Sequence, residues 1–95
     1  MELQQQIEQA LKAAIRAKDE DKRDAVRSLL TAIKNKEKEL KRLPNQTEIQ
    51  QLIGAQIKQR KDSAEQFSRA GRLDLAGKEE NEAAILQAFL PEALS

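Results

Sequence analysis

Only three glycines and two prolines interrupt this chain of 95 residues. The intervals are filled largely by Ala, Leu, Gln, Glu, Lys and Arg, which lose least on entering an α-helix. The apolar residues then fall at helical spacing. Leu3, Ile7, Leu11, Ala14 and Ile15 form one stripe, and Val26, Leu30, Ile33, Glu37 and Leu40 step by four and three along a second. Between them lies the polar run Lys18-Asp19-Glu20-Asp21, where Asp19 or Asp21 is placed to cap a new helix. The stripe keeps its phase across that run, so one continuous long helix is the alternative to a break.

Leu43-Pro44-Asn45 is the clearest boundary. Proline disfavours helix at the residue before it, and Asn45 with Glu48 makes a capping box, with Thr47 and Gln50 as a competitor. The third helix carries Ile49, Ile53, Ile57, Arg60, Ala64 and Phe67 and meets Gly71, suited to a left-handed C-terminus. Leu75, Ile85, Leu86, Phe89 and Leu90 mark a fourth, stopped by Pro91. The expected fold is all-α, a small bundle of four antiparallel helices over about 2–17, 20–42, 46–70 and 73–90. Gly54, inside the third, is expected to mark a close helix approach, within the bundle or between chains.

Folding the last two helices back about Gly71 makes facing residues sum to about 142 in number. This pairs Phe67 with Leu75, Ile57 with Ile85, Ile53 with Phe89, and Arg60 with Glu82. Three levels are apolar on both sides; the fourth sets a cation against a carboxylate. The expectation for Arg60 and Glu82 is a structural ion pair, with an anion-binding guanidinium as the alternative. Glu37, on the apolar stripe, lies too far along to join them and either answers another cation or sits at an exposed end.

Composition removes most chemistries. There is no Cys and no His, which excludes thiol nucleophiles, disulfides, the usual zinc and haem ligand sets and an imidazole base. No metal and no cofactor are expected. Ser28, Ser63 and Ser68 stand in no nucleophile motif, and carboxylate catalysis in a helical bundle normally draws on His partners. The stretch from Gly71 through Gly77-Lys78-Glu79 brushes a phosphate-loop pattern with one residue too many and no strand before it, so a helix junction is expected. No catalytic residue is expected. No run reaches the roughly 20 apolar residues of a spanning helix and the start is not a signal peptide, so no membrane is expected and the cytoplasm is the expected compartment; a processed organellar protein would look the same.

Charge is nearly balanced, with 17 Lys and Arg against 16 Asp and Glu, yet unevenly placed. Arg23, Arg27, Lys34, Lys38 and Lys41 fall on one face of the second helix, with Thr31 in the gap and Asp24, Glu37 and Glu39 to the side. A stripe of this kind suits phosphate contacts, and equally an ordinary solvated face. Trp and Tyr are absent and Phe occurs twice, so platforms for stacked bases cannot be built, and any RNA contact is expected to favour folded, helical RNA. A membrane-surface helix is disfavoured because no large apolar face remains.

Lys18-Asp19, Arg23, Val26-Arg27, Ala32-Ile33-Lys34-Asn35 and Glu37, then the block from Ile57-Lys58-Gln59-Arg60-Lys61-Asp62-Ser63 through Gln66-Phe67 to Ala70-Gly71-Arg72-Leu73-Asp74-Leu75, resemble the GatB/YqeY family. Lys78-Glu79, Glu82 and Phe89-Leu90-Pro91 through Leu94-Ser95 complete a resemblance that covers essentially the whole chain. It implies that residues 1–95 are the amino-terminal helical domain of a YqeY-like protein. The family's usual second domain, related to the tail of the GatB component of tRNA-dependent Asn/Gln amidotransferases, is expected to be absent beyond Ser95.

The resemblance implies a link to carbon–nitrogen ligase activity with glutamine as amido-nitrogen donor, but the machinery for that chemistry lies in other domains of the amidotransferase. The expectation is therefore a non-catalytic module that contacts tRNA or the tRNA-charging machinery. Its RNA-binding candidates are Arg23, Arg27, Lys34, Lys38, Lys41, Lys58 and Lys61, and its family-motif surface is Gln59, Asp62, Ser63, Gln66 and Arg72. Lys58, Lys61, Asp62 and Gln66 are expected to face outward. The alternative is a protein–protein interaction module with no RNA contact.

Overall fold

The computed structural model describes residues 2–91, which form four helices: α1 (Leu3–Ala17), α2 (Glu20–Leu40), α3 (Gln46–Arg69) and α4 (Leu73–Gln87). The all-α expectation holds. The boundaries have local causes. Asp19 is the N-cap of α2 and its side chain accepts from the Lys22 amide, so the chain breaks where the polar run predicts. Just before it, Lys18 takes a left-handed conformation, φ 56°, and the Asp19 amide reaches back to the Ala14 carbonyl. The continuous-helix alternative is thereby excluded.

Helix α3 begins with the full capping box, Asn45 and Glu48 satisfying each other's backbone amides, and so prevails over Thr47 and Gln50. Arg42 clamps the same Glu48 carboxylate with two bonds of 2.8 and 2.9 Å. These bonds, and the Asn45 amide after them, hold the Glu48 carboxyl down at about 2. At the far end Gly71 adopts φ 77°, with the Arg72 amide bonded to the Phe67 carbonyl and the Gly71 amide to that of Ser68. This is the paired closure that turns α3 back onto α4. Gly77-Lys78-Glu79 lie inside α4, consistent with a helix junction at Gly71 and no phosphate loop.

Helix α2 stops at Leu40 and α4 at Gln87, earlier than the expected 42 and 90. Lys41 leaves the helix in a left-handed conformation, its amide capping the Glu37 carbonyl. After Gln87 the chain tightens into i to i+3 bonds, from Phe89 to Leu86 and Leu90 to Gln87, ahead of Pro91. Leu94 and Ser95, part of the resemblance, lie outside the described residues.

The core gathers Ile7 of α1; Ala25, Val26, Leu29 and Ile33 of α2; Ile49, Ile53 and Ile57 of α3; and Ala83 and Leu86 of α4. Leu29 and Ala25 lie off the stripe read from sequence, whereas Leu30 on that stripe is only half-buried. The reason is topological: α2 touches all three other helices and buries a wider arc than a single stripe. Ile15, taken as part of the first stripe, is 50% exposed because α1 ends there.

Gly54 marks no close approach in this fold. A Cβ built on it meets nothing within 4 Å, and the same is true of Gly77 within α4. Both are helix-interior glycines without a packing role. Gly54→Ala and Gly77→Ala are each expected to stabilise the protein by about 1 kcal/mol. Urea unfolding of the single and double variants checks this; no gain at Gly54 would point to a contact outside the chain.

Candidate functional site

Of the facing pairs predicted for α3 and α4, the charged one forms, and it is the central charged group of the fold. Arg60 Nη1 lies 3.0 Å from Glu82 Oε2 and 3.4 Å from Glu79 Oε2. Glu82 is 3% exposed, and burial, opposed by Arg60 and Lys78, pushes its carboxyl above the ordinary carboxylate range. From there the network runs to α2. Lys78 Nζ sits 3.8 Å from Glu82, 2.9 Å from Asp21 and 3.3 Å from Asp24, while Asn81 donates to Asp21. Lys78 and Asn81 together hold the Asp21 carboxyl below its usual range, and Asp21 in turn raises the Lys78 ammonium. Sequence reasoning missed Lys78, because its partners on α2 are more than fifty residues away.

A polar cavity of about 220 Å³ opens beside this network, between α2, α3 and α4. Ser28, Gln56, Gln59, Arg60, Ser63 and Glu79 line it. Gln56 spans from α3 to α2, accepting from the Ser28 hydroxyl at 3.5 Å and donating to the Ser28 carbonyl at 3.4 Å. Two of the family-motif residues, Gln59 and Ser63, thus share one cavity wall. Asp62, Gln66 and Arg72 are exposed and outside it, with Arg72 paired to Asp74.

The basic residues divide. Arg27, Lys34, Lys38 and Lys41 are exposed along α2 and have no side-chain partner among the described residues. Arg23 is half-buried and bound through Nε and Nη2 to Asp24, 3.1 and 3.0 Å away, so an acid placed beside the ridge by sequence neutralises its first member. Lys58 and Lys61 are exposed, as expected. Yet α3 meets α2 through Gln56, and helical geometry turns Lys58 about 160° and Lys61 about 140° away from that contact. Lys61 instead flanks a shallow groove with Glu80, Ala83, Ala84 and Gln87. The structure does not bring these two lysines onto the ridge. Glu37, half-buried, has no ion pair among the described residues.

Altered inheritance of mitochondria protein 41, mitochondrial, from Saccharomyces cerevisiae is 41% identical over 83 residues, covering 86% of this chain and 45% of that protein. The protein of the same name from Vanderwaltozyma polyspora is 38% identical over 85 residues, covering 88% of this chain and 46% of its own length. That from Eremothecium gossypii is 36% identical over 85 residues with the same coverage. The chain spans about half the length of these relatives. The YqeY-like protein family itself matches residues 4–95, and the chain belongs to that family.

Proposed function

We propose that the chain is a non-catalytic helical module that contacts the phosphate backbone of tRNA through α2. The observation that carries this is the set Arg27, Lys34 and Lys38 on one face of α2, continued by Lys41 at its C-cap: all exposed and free of acidic partners among the described residues. Their span along the axis is about 21 Å, enough to follow several phosphates of a helical stem. Three acids of α2 are engaged by cations off the ridge, Asp21 and Asp24 by Lys78 and Glu39 by Lys36. The family's relation to the tail of the amidotransferase's GatB component supports tRNA as the RNA. On this reading the module serves tRNA-dependent amidation without performing it. It acts wherever its tRNA is found, in the cytoplasm or in the mitochondrion that the relatives' names state.

Binding to bulk tRNA, followed by fluorescence anisotropy across a salt series, tests the proposal. The log affinity is expected to fall against log salt with a slope of about −2 to −4. The double variant Lys34→Glu/Lys38→Glu removes two contacts and is expected to flatten that slope by about 2. Unchanged binding in the double variant would sink the proposal and leave a protein partner as the remaining reading.

A further inference from the structure

The cavity between α2, α3 and α4 holds more hydrogen-bonding capacity than the fold uses. Arg60 directs Nη1 to Glu82 and Glu79, while its Nε is buried with no partner among the described residues. Gln59 and Ser63 also have no side-chain partner there. Glu79 engages Arg60 through Oε2 alone, at 3.4 Å, which leaves its other oxygen without a donor among the described residues. Of the charged groups only Arg60 and Glu79 line the cavity, one cation and one anion, while Glu82 behind them is also faced by Lys78, so the cavity wall carries no net charge to attract an ion. The matching ligand is neutral. It offers adjacent donors to Glu79 and an acceptor to the hydroxyl, carboxamide and guanidinium N–H groups.

We infer that this cavity takes the edge of one unpaired guanine base, an inference that rests on the RNA-contact reading. Ser28 makes the connection: it lines the cavity and directly follows Arg27, the first free cation of the ridge. Guanine carries N1–H and N2–H side by side, a pair that a carboxylate accepts together, with the O6 acceptor next to them. Cytosine and adenine each offer one exocyclic donor group beside an acceptor. Uracil places a single donor between two acceptors. Only guanine satisfies Glu79 twice and still presents an acceptor to Ser63, Gln59 and Arg60. The ridge then positions a stem by its phosphates while the cavity reads one base beside that stem. Edge reading also suits a chain whose two phenylalanines are half-buried in the bundle and offer no stacking platform.

The test uses four RNA hairpins, identical except for one unpaired G, A, C or U beside the stem. The G hairpin is expected to bind at least about fivefold more tightly than the others, the discrimination of one bidentate pair. Glu79→Gln, verified as folded by circular dichroism, is expected to bring the G hairpin down to the level of the rest. Equal binding of all four hairpins would overturn the inference while leaving the ridge intact. A second measurement is independent of the ridge: guanosine and cytidine are titrated into the 15N-labelled chain. Saturable shifts at the Ser28, Gln56, Gln59 and Ser63 amides with guanosine, weaker with cytidine, support the inference even where no hairpin binds. No shifts with guanosine, or equal shifts with acetamide as mimic of a protein Asn or Gln side chain, would overturn it.

Discussion

Replacing Arg60 by Met is expected to cost about 3–5 kcal/mol of folding stability, the consequence of stranding a buried carboxylate. Glu82 is almost wholly enclosed, and without Arg60 its nearest cation is Lys78 at 3.8 Å. A chain of this size has roughly 5–15 kcal/mol in total, so the variant stands near the edge of folding. The double variant Arg60→Met/Glu82→Leu is expected to recover most of the loss, since a packed apolar pair replaces a buried ionic one at little cost. Urea unfolding at neutral pH measures both, and a single variant as stable as the parent would show that Glu82 is solvated in solution.

The pH dependence has a definite sign. A carboxyl raised in the folded state binds its proton more readily there than in the unfolded chain, so its contribution grows as pH falls and is lost as pH rises through the raised value. Arg60 is one of the groups that restrain the rise at Glu82, so Arg60→Met moves it further up. The deficit of the variant is therefore expected to shrink as pH is lowered from neutrality toward the ordinary carboxylate range. Asp21, Asp24 and Glu48 are lowered by their partners and contribute the opposite trend, stability lost as pH falls through their depressed values. That loss is common to parent and variant and cancels in the difference.

Leu29→Ala is the second large effect, at about 3–4 kcal/mol, because Leu29 is fully enclosed where α2 meets the other helices. On a domain this small the melting temperature should drop by more than about 10 °C. Leu30→Ala, one residue along and half-buried, is expected to cost about 1 kcal/mol. Thermal unfolding of the pair decides between them; equal losses would mean that α2 is rotated in solution relative to this packing.

That contrast also shows what the sequence could disclose. Asp19, Asn45 with Glu48, and Gly71 act on their own neighbours, so the starts of α2 and α3 and the turn after α3 were legible from residues close in the chain, whereas the ends of α2 and α4 carry no such signal at the residue where they stop. The pairing of Arg60 with Glu82 was legible too, because one tight turn fixes the register of everything that follows it. The arc that α2 buries was not, since it depends on three neighbours whose angles no local pattern sets. For the same reason the ridge looked longer than it is. Arg23 is drawn off by Asp24, and Lys58 and Lys61 are carried away by the rotation of α3. The cavity was invisible because its six residues come from three helices and look like ordinary polar positions on each.

The ion network joins three of the four helices. Helix α4 is tied to α3 through Arg60 and Glu82 and to α2 through Lys78, Asp21 and Asp24, in addition to their apolar contacts. Helix α1 takes no part in that network and is docked chiefly by Ile7 and Ala14, with Leu3, Ala10 and Leu11 half-buried around them. Charge thus ties three of the four helices, and α1 is seated mainly by apolar packing. Protonating the carboxylates therefore bears on the joins among α2, α3 and α4, and hardly on the seat of α1.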